Sequence, residues 1–426
     1  MDGVRNFALH APGKRCTVYV FESVRMETEL ESLGIQGFRA SGVYAGIRAR
    51  NMSDMGLIVA DEPCVAVGVA TTNQVKAAPV LGNLKRLRSG KARAILVNAG
   101  NANAATGLQG VKNVELLSST LAAQLDCPPN EILSASTGVI GVQLPVEKMM
   151  NALPGLVKTL SPSGLPDVAR SILTTDRYTK VASDTFTLGK QQVRISAMGK
   201  GAGMICPTMA TMLVFVMTDV AISRPCAQSA LRTAIGPTFN SLTVDGDMST
   251  NDTVLMLSNG LAGNTPIQKP GRYHGTFTKA LTGVLEHIGK LMVMDGEGAT
   301  KCVRIEVGGA RTERDAKRVA RQIANSPLVK TAFFGEDANW GRIVGAAGAA
   351  GVKFDPLKVS VDFNDVAVVR NGLGVPDNTV EERATAVMKN PEFTIRLNLH
   401  SGRASAAMFT SDLGYEYIKI NGSYRS

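Results

Sequence analysis

Fourteen residues near the midpoint of this 426-residue chain constrain its fold most strongly: Lys200-Gly-Ala-Gly-Met-Ile-Cys-Pro-Thr-Met-Ala-Thr-Met-Leu213. Glycines, a lysine and a proline lead into Met209 and Ala210. Thr211 then opens the apolar run Met212-Leu-Val-Phe-Val-Met217. A short apolar run bounded by turn residues fits a fully buried strand. The pattern predicts a flexible loop feeding a core strand, with the Thr211 hydroxyl at the junction.

A threonine hydroxyl is a weak nucleophile without a base. A cut between Ala210 and Thr211 would supply one, because the new α-amine has a pKa near ~8. In the uncut chain the same hydroxyl can attack the Ala210 carbonyl. The small Ala210 side chain leaves that carbonyl open, and the preceding glycines allow unusual backbone angles. Spacing alone does not separate this chemistry from an ordinary loop before a strand. Phosphate-loop readings fail: no G-x-x-x-x-G-K-[ST] occurs, and Cys206 stands at the third glycine of G-x-G-x-x-G.

Composition narrows the classes further. Hydrophobic residues at 44% and charged residues at 19% fit a folded chain of two or three domains, or one large one. No apolar run reaches the ~18–20 residues of a membrane helix. A net charge of +10 suits anionic metabolites or nucleic acid. The densest basic stretch, Lys85-Arg-Leu-Arg88 with Lys91 and Arg93, has no aromatic for base stacking and reads as solvated surface. No nucleic-acid or membrane partner is expected. Six scattered cysteines without C-x-x-C point to a reducing compartment. Four histidines, none at metal-ligand spacing, predict no metal. The absence of G-x-S-x-G argues against a serine hydrolase.

Residues 1–35 read as an extension. Val18-Tyr-Val-Phe21 is too short for a secretory core before Glu22. Arg5, Lys14 and Arg15 suit an organelle transit sequence, but Asp2 and Glu22 oppose it. The cytoplasm is the expected location, with the mitochondrial matrix as alternative.

The remaining pattern alternates strands and helices. Ala94-Ile-Leu-Val97 reads as a buried strand entering an Asn-rich loop at 98–103. Val303–Val307, Val359–Phe363 and Phe393–Leu399 alternate as half-buried strands do. Cys226, Ala227, Ala230, Leu231, Ala234 and Ile235 share one helical face. Phe277, Leu281, Leu285 and Ile288 share another, and so do Ala316, Val319, Ala320 and Ile323 in a helix near 313–325. The class is α/β or α+β.

The central segment resembles the cleavage segment of the ornithine acetyltransferase family, the glutamate N-acetyltransferases of arginine biosynthesis. Its usual form there is KGSGMIAPNMATML, and this chain departs at Ala202, Cys206 and Thr208. The resemblance runs from about Gly37 to Ser426. It includes Gly37-Phe-Arg-Ala-Ser-Gly-Val43, Thr71–Pro79, Asn98–Asn103, Ser136–Gly141, Thr243–Asp247, Gly335–Arg342 and the tail from Asp412. It implies stacked sheets flanked by helices, an N-terminal-nucleophile-like fold and a smaller C-terminal α/β lobe from about residue 300. It also implies two intertwined chains, 36–210 and 211–426, paired further as a heterotetramer. The implied reaction moves acetyl from N-acetylornithine to glutamate through acetyl-Thr211. No cofactor is needed; some members also take acetyl-CoA as co-substrate.

The resemblance assigns the oxyanion site to Thr137 and Gly138, and substrate binding to Thr174, Lys200, Thr211, Glu297, Asn421 and Ser426. Each has a plainer reading. Thr137-Gly138 alone is a turn, Lys200 a loop lysine, Glu297 part of a solvated Asp295-Gly-Glu-Gly298 turn, and Ser426 a frayed end. Thr175 beside Thr174 leaves the register open. Gly422 and Ser423 replace the family's usual Ala-Asp in the tail. Asp245 and Asp247 lack EF-hand spacing and read as turn caps. Asn98, Asn101 and Asn103 read as backbone-holding residues. The rival enzyme reading is an N-terminal-nucleophile aminopeptidase or amidase with water as acceptor.

Overall fold

The computed structural model describes residues 30, 32–49, 52–206 and 212–423. Ala210, Thr211, Ser426 and most of the 1–35 extension lie outside the described residues.

Apolar runs without helical period form strands β1 (Phe38–Val43), β2 (Met55–Ala70), β3 (Lys91–Asn101), β4 (Ile132–Val139), β5 (Lys180–Leu188), β6 (Gln191–Lys200), β7 (Leu213–Thr218), β8 (Leu242–Thr243) and β9 (Thr253–Ser258). All but β8 join one sheet in the order β4-β3-β2-β9-β7-β6-β5, with β1 paired to β2. The predicted strand after Thr211 is β7. It is buried along its whole length, so its sequence is apolar up to Thr218 rather than alternating.

β2 is the bend in this sheet. Its ladder with β3 shifts between Val59 and Cys64, and from Val65 onward it pairs with β9. A bulge bends a strand and tightens its twist. The two halves of the sheet consequently stack. Ile58, Ile95, Val97 and Leu133 from one half share a core with Met198, Phe215, Met217 and Leu255 from the other. Helices cover the outer faces. Gly107–Gln124 and Val146–Lys158 place Leu117, Leu121, Met149 and Leu153 against Leu57, Leu96 and Ile132. Arg224–Ile235 and Arg272–Met294 cover Ile195, Val214, Val216 and Val254 with the two apolar faces predicted for them. The result is the expected stack of sheets flanked by helices.

The second sheet contains β10 (Cys302–Ala310), β11 (Ser360–Phe363), β12 (Val366–Arg370), β13 (Leu373–Gly374), β14 (Glu392–Asn398) and β15 (Ala404–Ser411). Its order is β13-β12-β11-β14-β10-β15-β8, so β8, which lies between β7 and β9 along the chain, joins this sheet instead of the first. The helix Glu313–Ala324 buries Ala316, Val319, Ala320 and Ile323 and exposes Arg314, Lys317, Arg318 and Arg321. Thr312 caps it by accepting the Asp315 N–H at 3.1 Å. This smaller lobe has its own core.

Two expectations need correction. β3 does not end at Val97 but runs to Asn101, so Asn98 and Asn101 lie in the ladder with β4. Asn98 fits there because Oδ1 accepts the Ser136 hydroxyl at 2.7 Å and Nδ2 donates to Asn101 O at 2.9 Å. Core packing also starts before residue 36, since Leu30, Leu33 and Ile35 are buried. Among the described residues no helix is long and apolar enough to cross a membrane.

Candidate active site

Strand ends converge on one pocket. β4 brings Thr137 and Gly138, β6 ends there at Lys200, and Asn251 lines it just before β9. Thr174 and Thr175 enter from the loop after the helix Leu165–Ser171. Glu297 follows the helix Arg272–Met294, and Asn421 comes from the C-terminal helix Tyr415–Ser423. Six predicted site residues therefore share one cavity: Thr137, Gly138, Thr174, Lys200, Glu297 and Asn421. Ala210, Thr211 and Ser426 lie outside the described residues. Leu213, two residues past Thr211, reaches the same place by pairing with Lys200 across the β6–β7 ladder, and Asn421 brings the tail there.

Lys200 organises the pocket. Its Nζ donates to Thr174 Oγ1 at 2.6 Å and to Thr137 Oγ1 at 3.1 Å. The ammonium is buried, and Asp176 Oδ2 lies 3.8 Å away. Burial pulls the Lys200 pKa below the usual lysine range; Asp176 opposes that shift and Lys180 adds to it. Thr175 lines the same pocket, but it is Thr174 that takes the Lys200 bond.

Behind Lys200 stands a buried ion network. Lys180 Nζ lies 2.7 Å from Asp176 Oδ1 and 2.6 Å from Asp295 Oδ2, with all three side chains fully buried. Arg177 Nε donates to Asp295 Oδ1 at 2.8 Å. Asp176 also accepts the Thr174 and Gly201 N–H groups at 2.9 and 2.7 Å. Burial disfavours the Asp176 carboxylate, but Lys180, Lys200 and these N–H bonds outweigh it and hold its pKa well below the usual range. The network thus fixes the Thr174 loop, the end of β6 and the turn that carries Glu297.

The other wall is held by amides. Asn251 Nδ2 donates to Ala102 O and Ser136 O at 2.6 and 2.8 Å, tying the ends of β3 and β4 together. Asn101 Nδ2 donates to Val142 O and Gln143 O, and Asn103 Nδ2 to Gly110 O, all at 3.1 Å. Gly138 has φ 132°, and a Cβ there would lie 2.3 Å from the Gly100 carbonyl carbon. Only glycine fits that approach of β4 to β3. Glu297 Oε2 accepts the Asn421 Nδ2–H at 2.7 Å, and the Glu297 N–H donates to Ala202 O at 2.9 Å.

A cation with two hydroxyls faces a carboxylate with an amide. Such a set suits an anionic group at one end of a ligand and an amine at the other. Asp176, Lys180, Asp295 and Asn251 escaped the sequence reading. Asp176 and Asp295 stand beside residues that it singled out, which was the available signal. Lys180 offered none, since a lysine in sequence reads as solvent-exposed. Among the described residues no group of three His, Cys, Asp or Glu side chains is placed to hold a metal.

Comparison with known proteins places the chain in a family. The ArgJ family matches residues 39–426. The arginine biosynthesis bifunctional protein ArgJ of Desulfotalea psychrophila is 47% identical over 92% of this chain and 100% of its own. The Geobacter sulfurreducens protein of the same name is 45% identical over 92% of this chain and 100% of its own. A crystal structure of the Bacillus halodurans ArgJ protein is 39% identical, covering 49% of this chain and 98% of that one, with a TM-score of 0.47. The chain belongs to the ArgJ family and is an acyltransferase of arginine biosynthesis.

Proposed function

We propose that this chain cuts itself between Ala210 and Thr211 and then transfers acetyl from N-acetylornithine to glutamate. Thr211 Oγ takes the acetyl group as an ester and releases ornithine. Glutamate's amine then removes it as N-acetylglutamate, so the two half-reactions follow a ping-pong order. The Thr211 α-amine moves the protons. Thr137 and Gly138 serve the developing oxyanion. Lys200 with Thr174 takes a substrate carboxylate, Glu297 with Asn421 takes the amino end, and Ser426 makes a further substrate contact.

One observation carries this reading. The buried Lys200 ammonium and its two hydroxyl acceptors lie across from the Glu297–Asn421 pair in a single pocket, opposite charges for the opposite charges of an amino acid. The relatives' bifunctional name fits a second activity, acetylation of glutamate by acetyl-CoA; no other cofactor is required. The cut chains, 36–210 and 211–426, associate as a heterotetramer in the cytoplasm.

Intact-mass analysis tests the proposal. The protein should yield two associated fragments, the second beginning at Thr211, and should form N-acetylglutamate only when glutamate is present. Thr211→Ala should stay whole and inactive. An active single chain, or acetate release indifferent to glutamate, sinks the reading; the latter result favours the amidase alternative.

A further inference from the structure

The residues on either side of the proposed scissile bond are held by two carboxyl groups from one stretch of chain, Asp245 half-buried and Asp252 fully buried. Upstream, Asp245 Oδ2 accepts the Met204 N–H at 2.5 Å and Oδ1 accepts the Ile205 N–H at 2.9 Å. Ile205 O accepts the Val244 N–H at 2.8 Å and the Thr243 hydroxyl at 3.0 Å. Downstream, Asp252 Oδ1 accepts the Met212 N–H at 3.0 Å, and Met212 O accepts the Thr253 N–H at 3.0 Å. Met204 sits at φ 56°, a conformation that side chains rarely adopt, and the Asp245 bond fixes its N–H there. The described residues flanking the scissile bond, Met204 and Ile205 upstream and Met212 downstream, are therefore anchored. Anchoring both ends of a segment removes much of its conformational freedom before the reaction starts.

Asp252 is fully buried, and its Oδ2 has no hydrogen-bond partner among the described residues. An unmet buried polar atom is costly to keep. Keeping one beside Met212, one residue past Thr211, calls for a use. Burial raises the Asp252 pKa well above the usual range, against the pull of the Met212 N–H, Ser249 and the Lys200 charge. Its neutral form has one acceptor for Met212 and one O–H left to offer.

We propose that Asp245 and Asp252 are positioning residues for self-cleavage, clamping the scissile segment from its two ends; this rests on the self-cleavage reading above. In the step they serve, Thr211 Oγ bonds to the Ala210 carbonyl carbon and the Ala210–Thr211 C–N bond breaks. The hydroxyl proton ends on the new α-amine. Water then adds to the ester carbon, the C–Oγ bond breaks, and the oxygen recovers a proton from that water. The clamp supplies geometry and consumes no reactant.

The two anchors differ in their response to pH. Burial pushes Asp245 up to about 6, against the pull of its N–H partners. The groups facing it are Asp247 on its own turn, Cys206 on the loop, Lys330 from the helix Pro327–Phe334 and Tyr417 from the C-terminal helix. Above that pH both oxygens accept; below it one carries a proton and its N–H bond is lost. Cleavage should slow as pH falls through about 6.

The test follows full-length protein by intact mass after cell-free synthesis, from about pH 5 to pH 8. Asp252→Ala should cut at least ~100-fold more slowly than wild type, as small misplacements of reacting groups do. Asp252→Asn should cut at close to the wild-type rate, because its amide keeps one acceptor and one donor. Asp245→Asn should cut more slowly and lose the acidic limb of the rate profile. Folded Asp252→Ala cutting at the wild-type rate overturns the clamp, as does an acidic limb that survives in Asp245→Asn. If Asp252→Ala fails to fold, the Asp245→Asn profile decides. Wild type that stays whole overturns self-cleavage itself, a result distinct from these.

Discussion

Lys200 is buried, yet among the described residues its hydrogen bonds go to two neutral hydroxyls rather than to a carboxylate. An ammonium so placed is under-neutralised and favours an anionic ligand. Lys200→Met should lower kcat/KM by roughly 100–1000-fold, because it strips a buried cation from the substrate carboxylate. It should leave thermal stability near wild type, because Asp176 keeps Lys180 and two N–H partners. A large drop in melting temperature would show a structural role instead. Gly203 supports a second test. A Cβ there would lie 2.4 Å from the Glu297 carboxyl carbon, so Gly203→Ala must displace Glu297. Steady-state kinetics should show a raised KM for the amine substrate with kcat changed less; an unaltered KM would remove Glu297 from amine binding. At this scale the sequence was informative where chemistry is local. Thr137-Gly138 and Lys200 stood in recognisable strings. Whether Thr174 or Thr175 meets Lys200 depends on how a loop curls, which neighbouring identical side chains do not disclose.

Elements were legible where their period was clean. The helices Arg224–Ile235 and Glu313–Ala324 bury the faces that a 3.6-residue period predicts. Asn98 looks like loop chemistry and so ends β3 early on pattern alone, whereas burial with Ser136 and Asn101 as partners lets an amide live inside a ladder. The Lys180–Asp176–Asp295 network was invisible for a related reason: it joins the start of β5 to the end of the helix Arg272–Met294, far apart in sequence. Removing one member of a buried ion pair strands the others, so Lys180→Met should cost ~3–5 kcal/mol in urea unfolding. The acid limb has a definite sign. Asp176 has a folded pKa below its unfolded value near ~3.9, so its stabilisation is complete above that value and fades as pH falls below it. Urea midpoints of wild type should drop below about pH 4, and Asp176→Asn should show a shallower drop. An equally steep acid loss in that variant would assign the effect to other groups.

The whole molecule explains why a cut at residue 210 need not release anything. In the first sheet, β7 and β9 from the second half of the chain sit between β2 and β6 from the first. β9 runs antiparallel to β2 over Val65–Ala70, and β7 runs antiparallel to β6 over Ile195–Lys200. The core between the stacked halves likewise mixes Ile58, Ile95 and Leu133 with Phe215, Met217 and Leu255. Severing the connection between β6 and β7 breaks neither ladder, yet separating the pieces breaks both and exposes that core. Each piece alone would carry unpaired strand edges and open apolar faces, a state prone to aggregate. Cleaved protein should therefore elute from a sizing column as one species in native buffer and resolve into two fragments only in strong denaturant. After denaturant is removed, the two pieces mixed should recover the native elution, while either piece alone should precipitate. Fragments that part in native buffer, or a single fragment that refolds unaided, would contradict the interleaved strand order on which the architecture depends.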